Sequence, residues 1–241
     1  MILLAGGLCV VVASFLGGVT GFGYSLVATP LLLLLGYPLP FVVTVNLALA
    51  CITRMPVAYR FRADLNRRRA TGMIVGSVPG LWLGAAVLTT IDESAIKVGA
   101  GIVVMTAAVL LWRALSAPPP RPVPGAPLIA GFGGGFLATA ASLNGAVPVL
   151  LLARDRAAPR SQVADLALYF VASTAIGLIV LLLGGALDAD ALFPAFLLWL
   201  PGSIAANWAG TVIGPRLPEL TFRKITLVVV FTAGAVTAIA A

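Results

Sequence analysis

Few side chains in this 241-residue chain can do chemistry, and their types narrow what that chemistry could be. There is no histidine, there are 8 carboxylates, and the two cysteines, Cys9 and Cys51, each sit inside an apolar run. Such an inventory supplies no metal-ligand cluster, no nucleophile with a base beside it and no thiol pair, so enzyme chemistry is disfavoured and neither cofactor nor metal is expected. Anion binding by backbone amides, hydroxyls, carboxamides and embedded arginine remains. Gly17-Gly-Val-Thr-Gly-Phe-Gly-Tyr-Ser25 is the first place to look, with Gly21, Gly23, Tyr24 and Ser25 as candidate substrate contacts. Gly133, Gly134 and Gly135, together with Ser142 and Asn144, are the candidates in the second half. Glycine lets consecutive amides converge on one centre, and a helix that follows such a break adds a positive N-terminal end. The competing reading is that these glycines serve tight turns and packing.

Arg54 is the first charged residue of the chain and the one cation embedded in an apolar run. It either contacts the substrate anion or snorkels to the interface marked by Arg60, roughly 9 Å away at 1.5 Å per residue. Pro56 should loosen the helix beside it. Asn46, in the same run, needs a partner inside a bundle; an interhelical hydrogen bond and a substrate contact are both open to it. Asp165 is the carboxylate nearest a span interior. It is placed either for proton coupling or simply where a helix N-terminus favours negative charge.

The elements that must position these residues occur twice in the same order. The first glycine stretch leads to Pro30-Leu-Leu-Leu-Leu-Leu35 and then Asn46-Leu-Ala-Leu49; Gly131-Phe-Gly-Gly-Gly135 leads to Pro148-Val-Leu-Leu-Leu152 and then Asp165-Leu-Ala-Leu168. Gly76, Gly80 and Gly84 return as Gly202, Ala206 and Gly210, extended by Gly214, and Glu93 and Lys97 as Glu219 and Arg223. Small residues four apart allow two helix backbones to approach closely, and static packing outweighs substrate contact as their role. Trp82 and Trp208 are expected to fill the space opposite them. Gly21-Phe-Gly23 and Gly131-Phe-Gly133 are poor dinucleotide loops, since no strand precedes them and no acid follows at the required distance.

Composition gives the setting. With 61% hydrophobic and 10% charged residues, the chain reads as an all-α integral membrane protein. Charge-free runs over Ala70–Ile91, Leu166–Leu187 and Ala191–Pro215 are long enough to span; Val98–Trp112 and Ile225–Ala241 reach if Lys97, Arg113 and Lys224 snorkel. Alternation suited to a barrel is missing. The net charge of +7 comes from cations in short loops, which fits cytoplasmic retention better than nucleic-acid binding. Met1 is followed by apolar residues without a basic region or a small-x-small cleavage site, so the N-terminus reads as retained rather than as a signal peptide.

If each glycine-broken stretch crosses once, the loop cations divide evenly between the two faces. If each is a hairpin returning to its starting side, all but Lys97 share one face, as the positive-inside tendency requires. The hairpin reading gives two inverted repeats, residues 1–115 and 128–241, each a glycine-broken, re-entrant hairpin plus three transmembrane helices, with both termini outside. Residues 116–127 form a Pro-rich linker, Pro118-Pro-Pro-Arg-Pro-Val-Pro124, and the outer loop around Asp188 and Asp190 is acidic. Inverted repeats with broken helices are a usual build of secondary transporters.

At these residues the chain resembles the sulfite exporter TauE/SafE family, with the glycine-rich segment, proline and leucine run in both halves and the small-residue ladder after each. The resemblance covers Leu4–Ile239 and departs at Tyr24 and at Ala141-Ser-Leu-Asn144. It implies transport of a small sulfur-containing anion, such as sulfite, sulfoacetate or another organosulfonate, across the bacterial cytoplasmic membrane. The expected partners are that anion and membrane lipid, with a homodimer left open and nucleic acid excluded. The absence of a deep histidine or carboxylate favours export or facilitation by alternating access. A proton-coupled importer is the alternative within transport. Outside it stand a non-transporting membrane scaffold, distinguished by lacking a wet cavity between the hairpins, and an integral membrane transferase, which would need acidic and basic groups converging on a headgroup.

Overall fold

The computed structural model describes residues 2–92, 95–96, 98–99, 102, 106, 109, 123–186, 189–216 and 228, and among them it is all helical. The helices are α1 (Ile2–Thr20), α2 (Gly23–Leu34), α3 (Leu39–Arg60), α4 (Arg67–Thr90), α5 (Ala126–Ala141), α6 (Ala146–Arg154), α7 (Pro159–Leu183) and α8 (Ala189–Ile213), with short 3-10 turns over Arg62–Asp64 and Gly214–Arg216. Five of them, α1, α3, α4, α7 and α8 from Leu192, are long and apolar enough to cross a bilayer; α2 and α5 are apolar but shorter. At nine residues α6 extends about 13 Å, less than half a hydrocarbon core of about 30 Å. The chain is a multi-pass integral membrane protein.

Local sequence accounts for the helix ends. Gly21, at φ 86°, stops α1, and the Thr20 hydroxyl accepts the amides of Phe22 and Gly23 (3.4 and 3.0 Å) where α2 begins. A second left-handed glycine, Gly36, ends α2, and Pro38 and Pro40 bracket the start of α3. Asn66 caps α4 by accepting the Arg69 amide at 3.1 Å.

Both broken stretches are hairpins. Gly17 lies against Tyr24, and Gly6 against the Tyr37 hydroxyl, so α2 runs back beside α1 and ends level with its start. Gly133 lies beside Val147 and Gly134 beside Pro148, so α6 runs back along α5. The second break, however, is not at the glycine run. Helix α5 continues through Gly131–Gly135 and stops at Ser142, which takes the left-handed conformation (φ 59°) while the Leu143 amide returns to the Leu137 carbonyl (2.9 Å). The glycines stay helical because a backbone is packed against them. A Cβ on Gly131 or Gly135 would strike the backbone of Met73 or Ser77 in α4, and one on Gly76, Gly80 or Gly84 would strike Leu128, Phe132 or Phe136 in α5.

The same device joins α8 to α1: Gly210 meets Phe15, Gly214 meets Val19, and Gly18 meets Asn207. In both pairs the contact register keeps a constant offset, so α4 runs parallel to α5 and α1 parallel to α8. The tryptophans do not complete these seams. Trp82 is 51% exposed and Trp208 47%, both turned outward, and the Arg60 guanidinium lies over the Trp208 ring at 4.9 Å. Small residues already bring the backbones into contact and leave no room for an indole.

Helices α3 and α7 fill the middle, carrying Asn46 and Arg54 on one and Phe170 and Thr174 on the other toward both breaks. Glu93, Lys97, Arg113, Arg121, Asp188, Glu219, Arg223 and Lys224, residues 116–122 of the linker, and most of the expected Val98–Trp112 and Ile225–Ala241 spans lie outside the described residues.

Candidate functional site

Between the two breaks lies a cavity of about 20 Å³, lined by Phe22, Tyr24 and Ser25 from the first break, Ser142 and Asn144 from the second, Asn46 and Arg54 from α3, and Phe170 and Thr174 from α7. The volume is room for about one water. A four-atom oxyanion fits only after the walls part.

A hydrogen-bonded chain ties the breaks together across one face of this space. The Tyr24 hydroxyl donates to Asn46 Oδ1 (2.8 Å), and Asn46 Nδ2 donates to Thr29 Oγ1 (3.1 Å) and to Ser142 Oγ (3.0 Å). Thr29 donates in turn to the Ser142 carbonyl at 3.4 Å. Every polar atom of Asn46 is thereby used within the bundle. Ser142 Oγ receives that hydrogen bond from Asn46 and can still donate its own proton. Ser25 adds a second hydroxyl at the wall.

Arg54 supplies the charge. It is 2% exposed and does not snorkel: one guanidinium nitrogen, Nη2, donates to the Gly17 carbonyl at 2.8 Å, the plane lies 5.7 Å from the Phe170 ring centre, and Nη1 has no partner. No carboxylate pairs with it among the described residues. A buried guanidinium without a counter-charge carries a desolvation penalty of several kcal/mol, which an anion at Nη1 would offset. Asn144 is likewise buried: its Nδ2 donates to Ser173 Oγ at 3.2 Å and its Oδ1 is unpartnered. Helix α6 starts just after, at Ala146, with Gly145 as an N-cap that offers no side chain.

The structure thus gathers Tyr24, Ser25, Asn46, Arg54, Ser142 and Asn144 at one place and leaves other candidates aside. Gly21 sits in the turn against Val163, and Gly23 opens α2 under the Thr20 cap. Gly133, Gly134 and Gly135 lie inside α5, where Gly134 faces the Tyr169 hydroxyl and Pro148. Asp165, fully buried, does not line the cavity: its Oδ2 accepts Arg69 Nε at 2.6 Å, its Oδ1 accepts the Asn66 amide at 2.8 Å, and Arg69 also donates to Ser161 (3.0 Å). Sequence reading missed Thr29, Phe22, Phe170 and Thr174. Thr29 directly precedes the repeated proline, a position at which a polar residue in an apolar run was a usable signal. The aromatic residues gave none.

Residues 6–237 match the sequence profile of the sulfite exporter TauE/SafE family. No curated protein and no solved structure matches the chain.

Proposed function

The chain belongs to the sulfite exporter TauE/SafE family, membrane transporters of sulfur-containing anions, and from that premise we propose that it moves sulfite, sulfoacetate or another small organosulfonate outward by alternating access through the cavity at Arg54. The observation that carries this reading is the buried guanidinium with an unpartnered nitrogen, set between two helix breaks and without an acid partner among the described residues. A scaffold has no use for a solitary buried cation, and a headgroup transferase would need an acidic group converging with it, which the cavity wall does not carry among the described residues.

The present conformation is too tight to hold the anion. Substrate entry needs the walls to separate, and the hairpins are the parts of this reading that rearrange around Arg54. The two halves, 1–115 and 128–241, are inserted in opposite senses. Support comes from the helix directions: α1 and α8 start together at the end that holds Tyr37, whereas α4 and α5 start together at the end that holds Asn66, Arg69 and Arg154. That second, arginine-rich end faces the cytoplasm.

An inside-negative potential drives a monovalent anion outward by about 2.3 kcal/mol per 100 mV, roughly a fifty-fold gradient, so export needs no coupled proton. Asp165, held by Arg69 and the Asn66 amide within the second turn of α7 rather than at its N-terminus, is a structural ion in this account. In proteoliposomes, an imposed potential without a pH gradient is expected to move sulfite toward the positive side. Arg54→Gln should cut that flux about 10- to 100-fold, the worth of a charge-assisted hydrogen bond, with the protein still monodisperse. Undiminished flux in this variant, or flux only under a proton gradient, would overturn the proposal.

A further inference from the structure

A basic depression and an apolar groove meet at the base of the hairpin formed by α5 and α6. The depression, about 560 Å³, lies where the start of α4, the start of α5 and the end of α6 come together, and its wall carries Arg68, Arg69, Arg154 and Asp155. The groove, about 350 Å³, runs between α5 and α6 over Ile129, Val147 and Leu150. Val123, Ala126 and Arg154 line both, so the two spaces adjoin. Each is of the size that small ligands occupy. Charge is unevenly matched in the polar part. Arg69 is held by Asp165, and three arginines against the carboxylates of Asp155 and Asp165 leave one positive charge over. Arg68 is exposed and forms no ion pair among the described residues. In the groove the only charged side chain among the described residues is Arg154, at its mouth, and Ile129 is 67% exposed.

We propose that this joined space binds one anionic phospholipid of the inner leaflet, its phosphodiester on Arg68 and Arg154 and one acyl chain in the groove. The depths agree with that occupant. Counted from Ala126 and Arg154, Ile129 and Val147 stand about 5–10 Å further into the bilayer at 1.5 Å per residue, as a lipid's hydrocarbon stands to its phosphate. A phosphodiester carries one negative charge, which matches the surplus, and guanidinium meets phosphate with paired N–H donors. Basic pockets between helices on the cytoplasmic side suit anionic headgroups in general. A soluble anion would occupy the depression alone and bury nothing against Ile129 and Leu150. A zwitterionic lipid would fill the groove and leave the surplus charge unmet. The leaflet follows from the orientation proposed above; the binding itself does not depend on transport at Arg54. The hairpin that the lipid grips carries Ser142 and Asn144 at its tip, so the occupant also steadies the second break.

The test titrates the detergent-purified full-length protein with dioleoylphosphatidylglycerol and with dioleoylphosphatidylcholine, whose acyl chains are the same, and counts bound lipid by native mass spectrometry. The anionic lipid should bind about tenfold or more tightly than the zwitterionic one. Arg68→Gln combined with Arg154→Gln should bring that ratio to within about threefold. Arg62→Gln, at an exposed arginine of the same end that does not line the depression, should preserve it. Arg68→Gln alone, on an exposed side chain, should lower the ratio in the same direction and decides the matter if the double variant does not fold. Glycerophosphoglycerol, the same headgroup without chains, should displace the anionic lipid only at roughly 100-fold excess or more. Equal binding of the two lipids, or a ratio preserved in a folded Arg68→Gln/Arg154→Gln protein, would overturn the inference. So would displacement by the chain-free headgroup at comparable concentration, which would make the depression a soluble-anion site, or no tight lipid at all, the result expected if another part of the chain fills the groove. Arg54→Gln should leave the lipid ratio unchanged, so the two sites stand or fall separately.

Discussion

Arg54 and Asp165 are two buried ions treated in opposite ways. Asp165 is saturated by Arg69 and the Asn66 amide, and from the second turn of α7 it holds the N-terminal end of α4 against that helix. Arg54 is left with an unpartnered nitrogen beside the cavity. Removing one member of a buried pair strands the other, at a cost of about 3 kcal/mol or more. Asp165→Asn is therefore expected to lower the melting temperature in detergent, and Arg69→Met with Asp165→Leu to recover much of the loss, a coupling read by a double-mutant cycle. Flux through the surviving Asp165→Asn protein should keep its direction and its response to potential. Arg54, Asn46 and the residues near the breaks were legible because polar groups are rare in this chain. Their partners were not: Gly17 offers Arg54 a backbone carbonyl, which no residue type announces, and Asp165 finds its cation in a different half of the sequence.

The helices explain why glycine was a partial guide. Gly21 does break the chain, since φ 86° is open to glycine without a Cβ penalty. The Gly131–Gly135 run does not, and the turn falls instead on Ser142, at the departure from the glycine-rich pattern. A glycine in sequence signals either a hinge or a seam, and only the element packed opposite decides which. Gly80 belongs to a seam, with the Phe132 carbonyl where a side chain would stand. Gly80→Val should destabilise the fold by about 1–3 kcal/mol, or block assembly, by prising α4 from α5. Leu83→Val, on the half-exposed face of the same helix, should change stability by less than about 0.5 kcal/mol. Thermal unfolding followed by size-exclusion of the detergent-solubilised protein tells these apart. The spacing of four was readable in both ladders; that each would meet a helix of the other half was not, because small-residue stripes carry no address.

At the scale of the whole molecule, the class was legible in 61% apolar residues, and the hairpins were expected because they would gather the loop cations at one face. Arg69, Arg154 and the start of α5 do line one shared depression. In a protein with Cys9 and Cys51 replaced by alanine, single cysteines at Arg68 and Arg156 should resist an impermeant thiol reagent in intact cells, while one at Asp92, beyond the far end of α4, should react. Labelling of position 156 from outside would require the opposite arrangement of the second half. The exchange of seams between halves also sets a timetable. α1 enters the bilayer well before α8, yet the backbone that covers Gly18 belongs to α8, the last of the described helices. At a synthesis rate of about 5–20 residues per second, its small-residue face waits roughly 10–40 s among lipids before its partner leaves the ribosome. Throughout that interval the nascent chain depends on the insertion machinery, or on transient company from other membrane helices, to keep its first helix from pairing with a stranger.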